Sequence, residues 1–119
     1  MKNFRDLQIW QRSHRITLEI YRLTHEFPKS ELYGLVSQMR RSSSSIPTNI
    51  AEGCGRSTEK DFARFLDNAM GSASELEYQL ILASDLEYVT HETYAETAAE
   101  LIEIKRMLNA FIQKLRASP

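Results

Sequence analysis

A single cysteine, Cys54, stands in 119 residues, which excludes a disulfide framework and a cysteine-built zinc cluster. No apolar run approaches the ~20 residues needed to cross a bilayer. Met1-Lys2-Asn3 leads into charged, amphipathic sequence, where a signal peptide would continue into an apolar stretch. The expected location is the cytoplasm, with no membrane partner. Strand-like alternation is missing, as are internal repeats, and the four serines Ser42 to Ser45 are too few to form a linker. Net charge is lacking too: 15 Lys and Arg against 16 Asp and Glu leave −1, so bulk charge draws the chain neither to nucleic acid nor to lipid.

The charge that is present is divided unevenly. Residues 1–64 carry 11 basic and 7 acidic groups, and residues 65–119 carry 4 and 9. Such a polarised surface steers a partner, or its halves face each other within the fold or between subunits. The length suits one domain, 1–119, with a single core.

Four amphipathic segments are separated by short breakers. The first runs from about Asp6 to Glu26 and stops before Phe27-Pro28, because the residue preceding proline disfavours helix. Ser30 caps the second, in which Leu32, Leu35, Val36, Met39, Ile46 and Ile50 follow helical spacing. Gly53 and Gly55 close it, since glycine accepts the left-handed backbone of a helix exit. Ser57 or Thr58 caps the third, whose buried side holds Phe62, Phe65, Leu66, Ala69, Ala73, Leu76, Leu80 and Ala83. The fourth, from about Glu92 to Arg116, carries Leu101, Ile104, Leu108, Phe111 and Leu115 as a coiled-coil-like seam. Short connections make neighbours antiparallel, so the expected fold is all-α: an antiparallel up-down-up-down four-helix bundle. Pro47 lies inside the second helix, where it removes the hydrogen bond to the Ser43 carbonyl and costs ~3 kcal/mol. A kink at Pro47 is expected, with nearby hydroxyls or water satisfying that carbonyl.

At about 100° per residue, the first helix bears two apolar stripes. Leu7, Trp10, His14, Leu18 and Tyr21 form one, with His14 read as a satisfied core histidine. Ile9, Ile16, Ile20 and Phe27 form the other, separated from the first by Asp6, Ser13, Thr17 and Thr24. A helix in a monomeric bundle needs one buried face, so the second stripe is expected to be an interface with another copy. Arg5, Arg12, Arg15 and Arg22 line a third sector. In a row they match phosphate oxygens bidentately; equally, they are a solvated edge or ion-pair partners of Glu19 and Glu26. Arg40, Arg41 and Arg56, with Lys60 and Arg64, add basic charge near the second and third helices.

Catalytic and metal motifs fail in turn. His14, His25 and His91 are preceded three residues earlier by Gln11, Arg22 and Tyr88, so the Glu-x-x-His pairs of a carboxylate-bridged metal bundle are missing. The turn from Gly53 to Thr58 leads into a helix but lacks the Gly-Lys-Ser/Thr ending of a P-loop. Glu75 and Glu77 do not share a helix face. No enzyme, metal or cofactor is expected.

Arg40-Arg41, Ser45-Ile46-Pro47, Asn49-Ile50-Ala51-Glu52-Gly53 and Gly55-Arg56 form a specific string, followed by Phe62, Phe65-Leu66, Ala69, Gly71-Ser72 and Glu75-Leu76-Glu77. With Phe4, Leu7 and Trp10 at the start, this pattern resembles the proteins encoded in intervening sequences of bacterial 23S rRNA genes, over nearly the whole chain. It departs from them at Ser42-Ser43-Ser44, where the family carries more alanine or valine. The resemblance implies a four-helix bundle assembling as a ring-like homopentamer. The family is in turn similar to accessory proteins of diversity-generating retroelements, which bind nucleic acid and a reverse transcriptase. Within the shared motif, Glu52 and Arg56 are expected to pair, Asn49 to bridge backbone groups near Pro47, and Gly71-Ser72 with Ala69 and Ala73 to let the second helix pack closely on the third.

The expected function is therefore a non-enzymatic homo-oligomer, a pentamer, that binds structured RNA or other nucleic acid. Its candidate contacts are Arg5, Arg12, Arg15, Arg22, Arg40, Arg41 and Arg56. The alternative is a scaffold that presents helix faces to a protein partner such as a polymerase or a ribosome-associated factor.

Overall fold

A computed structural model describes residues 3–117. Four helices account for most of them: α1 (Gln8–Thr24), α2 (Ser37–Cys54), α3 (Glu59–Asp85) and α4 (His91–Arg116). Among the described residues there is no strand. A 3₁₀ turn, Phe4–Asp6, leads into α1, and a 3₁₀ turn and a π turn, Lys29–Glu31 and Leu32–Val36, lead into α2.

Short polar side chains set the starts of the later helices. The Thr58 hydroxyl accepts the Asp61 N–H at 3.1 Å, and Thr90 accepts that of Thr93 at 3.1 Å, each satisfying a donor that the first turn leaves unpaired. The second helix begins differently from expectation. Its start is not capped by Ser30; the Glu31 carboxylate accepts the Leu35 N–H at 3.3 Å, and non-helical backbone falls at Gly34 (φ −112°, ψ −112°). From Ser37 the helix runs through Pro47 to Cys54. The Ser43 carbonyl, which loses its donor to the proline, lies 2.9 Å from the Thr17 hydroxyl of α1.

The helix exit also differs from expectation. No glycine adopts a positive φ, and Gly55 sits at −87°. Gly53 is needed for space: a Cβ there would come within 2.8 Å of Phe62 Cδ1 and Phe65 Cβ on α3. Gly71, by contrast, has nothing within 4 Å of where its Cβ would stand, so it is not what lets α2 approach. Ser72 does touch α2, through a 2.8 Å hydroxyl contact to Ser45. α3 ends in a Schellman arrangement, Tyr88 N–H to Ala83 O and Glu87 N–H to Ser84 O, both 2.9 Å, with Glu87 at φ 64°.

The core lies where α1 to α4 converge, filled by Met39, Ile46 and Ile50 of α2, Leu66, Leu76 and Leu80 of α3, and Leu101, Ile104 and Leu108 of α4. Onto it α1 turns Ile9, Ile16 and Ile20, and Phe27 follows from the connection. This reverses the assignment of the two stripes. The four residues expected at an oligomer interface are interior to the single chain, while Leu18 is 56 % exposed and Tyr21 and His14 face solvent. The physical reason is in the separators: Ser13, Thr17 and Thr24 are buried beside the isoleucines, because each hydroxyl lies within hydrogen-bond reach of a carbonyl one turn back, at 2.6, 2.8 and 2.7 Å.

Cross-helix contacts fix the register. Thr17 meets Ser43 and Thr24 meets Arg40; Ser42 meets Gln79 and Ser45 meets Ser72; Asp67 meets Arg116 and Glu77 meets Lys105. In each pair of helices, residue numbers rise on one as they fall on the other.

Candidate nucleic-acid interface

A phosphate-binding surface needs guanidinium and ammonium groups that are not already committed. The seven candidate arginines divide sharply on this point. Arg12 is held by Glu100 of α4 through Nε at 2.9 Å and its terminal nitrogen at 2.6 Å, with Glu103 4.0 Å away. This hydrogen-bonded pair raises the Arg12 pKa above its ordinary value, and the half-buried bridge braces α1 against α4. Arg22 is bound to Glu19 one turn back, which raises its pKa also. The Arg40 guanidinium closes the end of α1: it donates to the Thr24 hydroxyl at 2.9 Å and the Tyr21 carbonyl at 3.3 Å, and lies 4.7 Å above the Tyr21 ring. Arg56 lies 4.5 Å above the Phe65 ring and 3.9 Å from Asp61. The expected Glu52–Arg56 pair does not form among the described residues.

Arg5, Arg15 and Arg41 have no ion pair among the described residues and are exposed. Arg5 stacks over Phe4 at 4.7 Å. Arg15 borders a hollow along α1 and α4 whose other walls include Glu19, Glu96 and Glu100, so its surroundings are partly acidic. Arg41 borders a second hollow, between α2 and α3, with Gln38, Ser42, Ser45, Ser72 and Glu75. The row of four arginines on the first helix is thus not a row of four free cations.

Two groupings were not legible from arginine spacing. At the end of the bundle where α2 finishes and α3 begins, Arg56 and Arg64 both stack on Phe65, at 4.5 and 4.6 Å, and share Asp61. Lys60 and Arg116 border the hollow beside them. Along α1, Trp10 and His14 stack face to face, and Arg40 covers Tyr21. The spacing of Trp10, His14 and Tyr21 carried that signal, but an apolar stripe reads as core until a better one is buried. Asn49 remains within α2, donating to the Ser45 carbonyl at 2.8 Å and its hydroxyl at 3.0 Å.

A model of the 23S rRNA-intervening sequence protein family matches residues 5–110, most of the chain. The chain belongs to this family. Among solved structures, a protein of unknown function from the S23 ribosomal protein family of Bacteroides thetaiotaomicron VPI-5482 superposes with a TM-score of 0.79 and 28 % identity. The match covers 87 % of this chain and 97 % of that one. No curated protein matches. The family match covers α1, α2 and α3, most of α4, and all seven candidate arginines.

Among the described residues, no group of three or more His, Cys, Asp or Glu is arranged to hold a metal ion. No helix among them is long and apolar enough to cross a membrane.

Proposed function

We propose that this protein is a non-enzymatic, oligomeric helical bundle of the cytoplasm that binds structured nucleic acid, RNA first, through the side formed by α1, α2 and the start of α3. One observation carries the reading: the basic excess of residues 1–64 belongs to these elements, while the acidic excess of residues 65–119 belongs to the rest of α3 and to α4. Opposite faces of one body then differ in potential, and a polyanion is attracted to one of them. Arg5, Arg15 and Arg41, which are exposed and unpaired among the described residues, are its phosphate contacts, and Lys60 and Arg64 extend them around the bundle end.

The antiparallel register of the cross-helix pairs supports an up-down-up-down order, and Pro47 supports a local bend of α2 beside α1. Assembly with further copies runs through the acidic half. Tyr78 and Ile81 of α3 and Ile102 of α4 are exposed, Ile102 by 57 %. The Glu77–Lys105 bridge, 2.7 Å, brings these residues to neighbouring stretches of the two helices. A patch of that kind is covered economically by another protomer. Five protomers, the number the family resemblance implies, would repeat the basic side around a ring, so that individually weak phosphate contacts gain by avidity.

Fluorescence anisotropy of labelled rRNA hairpins at several salt concentrations tests the reading. Binding is expected to weaken steeply as salt rises, and the Arg5/Arg15/Arg41→Ala variant should show a shallower slope. Binding that ignores salt would overturn it. A second reading, a scaffold for a protein such as a polymerase, is favoured by Tyr33, which is 94 % exposed beside the exposed Leu32. In that case Tyr33→Ala abolishes partner capture and the arginine variant leaves it intact.

A further inference from the structure

The outer side of α1 carries rings that the core uses only in part: Trp10 packs partly against it, while His14 and Tyr21 are exposed. Trp10 and His14, four residues apart, lie face to face with centroids 5.0 Å apart and planes 9° apart. Phe4 meets Trp10 edge-on at 5.1 Å and carries Arg5 over its own ring. Further along, at the same angular position, Tyr21 is exposed beneath the Arg40 guanidinium. His14 is exposed and Trp10 half-buried. From Trp10 to Tyr21 the helix rises about 16 Å, the length of about five stacked nucleotides at roughly 3.4 Å each.

The charges that lie over these rings are guanidinium groups, although Asp6 stands one turn before Trp10. The only carboxylate of α1, Glu19, borders the hollow shared with Glu96 and Glu100, away from the rings, and is neutralised by Arg22. Arg5 and Arg40 sit on the rings themselves. Flat aromatic faces flanked by guanidinium groups have a specific use: unpaired bases stack on the rings while arginines take the phosphates, with little regard for sequence. A duplex hides its base faces within its own stack and gains nothing from such rings.

We infer that the α1 ring strip, Trp10, His14 and Tyr21, with Arg5 free for phosphate and Arg40 holding the Tyr21 end in place through Thr24 and the Tyr21 carbonyl, is a stacking platform for unpaired nucleotides of a single strand or loop. This rests on the nucleic-acid reading above and narrows it: helical phosphates would be held by the free cations, and bases that leave the helix would be held here. The residues concerned are those that sequence spacing assigned to the interior, so the strip is available only because the isoleucine stripe fills the core.

Trp10 is the only tryptophan, so its emission reports on the strip directly. The intact protein is titrated with labelled oligothymidylate while Trp10 emission and strand anisotropy are followed together. Quenching of Trp10 in step with binding is expected, and His14→Ala and Tyr21→Ala should each weaken the strand about 5-fold or more, in line with stacking energies per base. His14 is exposed, so its replacement leaves the fold intact even where a Trp10 substitution does not. Strand binding with unchanged Trp10 emission and unaffected variants would overturn the strip while leaving the nucleic-acid reading in place. No binding of either the strand or a hairpin at low salt would overturn both. If His14→Ala instead splits an assembly in sedimentation, and no strand binds, the rings are a joint between copies and the inference fails.

Discussion

Thr17→Val tests how this chain tolerates a proline inside α2. The substitution keeps shape and volume and removes one hydroxyl. That hydroxyl has one proton and two nearby carbonyls, Ser13 at 2.8 Å and Ser43 at 2.9 Å. Inside α1 the Ser13 carbonyl already has the Thr17 N–H as its helical partner, whereas the donor that would serve Ser43 is missing from Pro47. Ser43 is fully buried and Thr17 nearly so, which keeps water from substituting. Leaving a buried acceptor unsatisfied costs about 1–3 kcal/mol, and the isosteric change adds no cavity. In a chain of this length that is a fall in Tm of about 4 °C per kcal/mol. Urea denaturation gives the free energy, and the decisive comparison is the same substitution in a Pro47→Ala background, where the restored N–H serves the Ser43 carbonyl. There Thr17→Val should cost only a few tenths of a kcal/mol, giving a coupling of about 1–2 kcal/mol. Equal costs in the two backgrounds would refute the account.

Ile16→Asp should abolish folding, because it buries a carboxylate among Ile9, Ile20 and the rest of the core, while Ile102→Asp should keep the far-UV circular dichroism of a helical protein and lower its mass in solution. A folded Ile16→Asp protein would mean that this stripe is not interior. Gly53→Ala should destabilise, by about 1–3 kcal/mol, through the clash with Phe62 and Phe65, and Gly71→Ala should stabilise by about 0.5–1 kcal/mol, since its exposed site in α3 has room for a methyl group. A reversed order in thermal melts would refute the packing argument. Glu87→Gly should stabilise by about 1 kcal/mol, by relieving a left-handed backbone that side chains resist; no change in the denaturation midpoint would show the turn to be unstrained.

Helix existence was legible because three of the four segments carry one apolar stripe each; the Thr58 cap lies as expected, and so does the Leu101–Leu115 seam except that Ile112 is buried where Phe111 was expected. The first segment was not, and its failure has a definite cause. Residues 13, 17 and 24 look polar in a string of letters, yet a hydroxyl that reaches its own backbone one turn back enters a core at little cost. Once those positions count as burial-tolerant, the isoleucine stripe becomes broad and continuous. The arginine row failed for a different reason: Arg12 and Glu100 are 88 positions apart, and no local pattern announces such a pair. The Gly53 contact with Phe62 and Phe65 depends likewise on how α2 meets α3, which spacing along α2 does not encode.

The seams of this bundle are fastened by different kinds of side chain, and that divides its mechanics. α2 is tied to α1 by Thr17 and to α3 by Ser42 and Ser45, side chains so short that a slip of one residue, about 1.5 Å, carries the oxygens out of reach. α4 is tied by Arg12–Glu100, Lys105–Glu77 and Arg116–Asp67, whose long flexible arms follow such a slip without letting go. The polar ties of α2 therefore set its register strictly, whereas the register of α4 rests on its buried Leu101, Ile104 and Leu108 and not on its ion pairs.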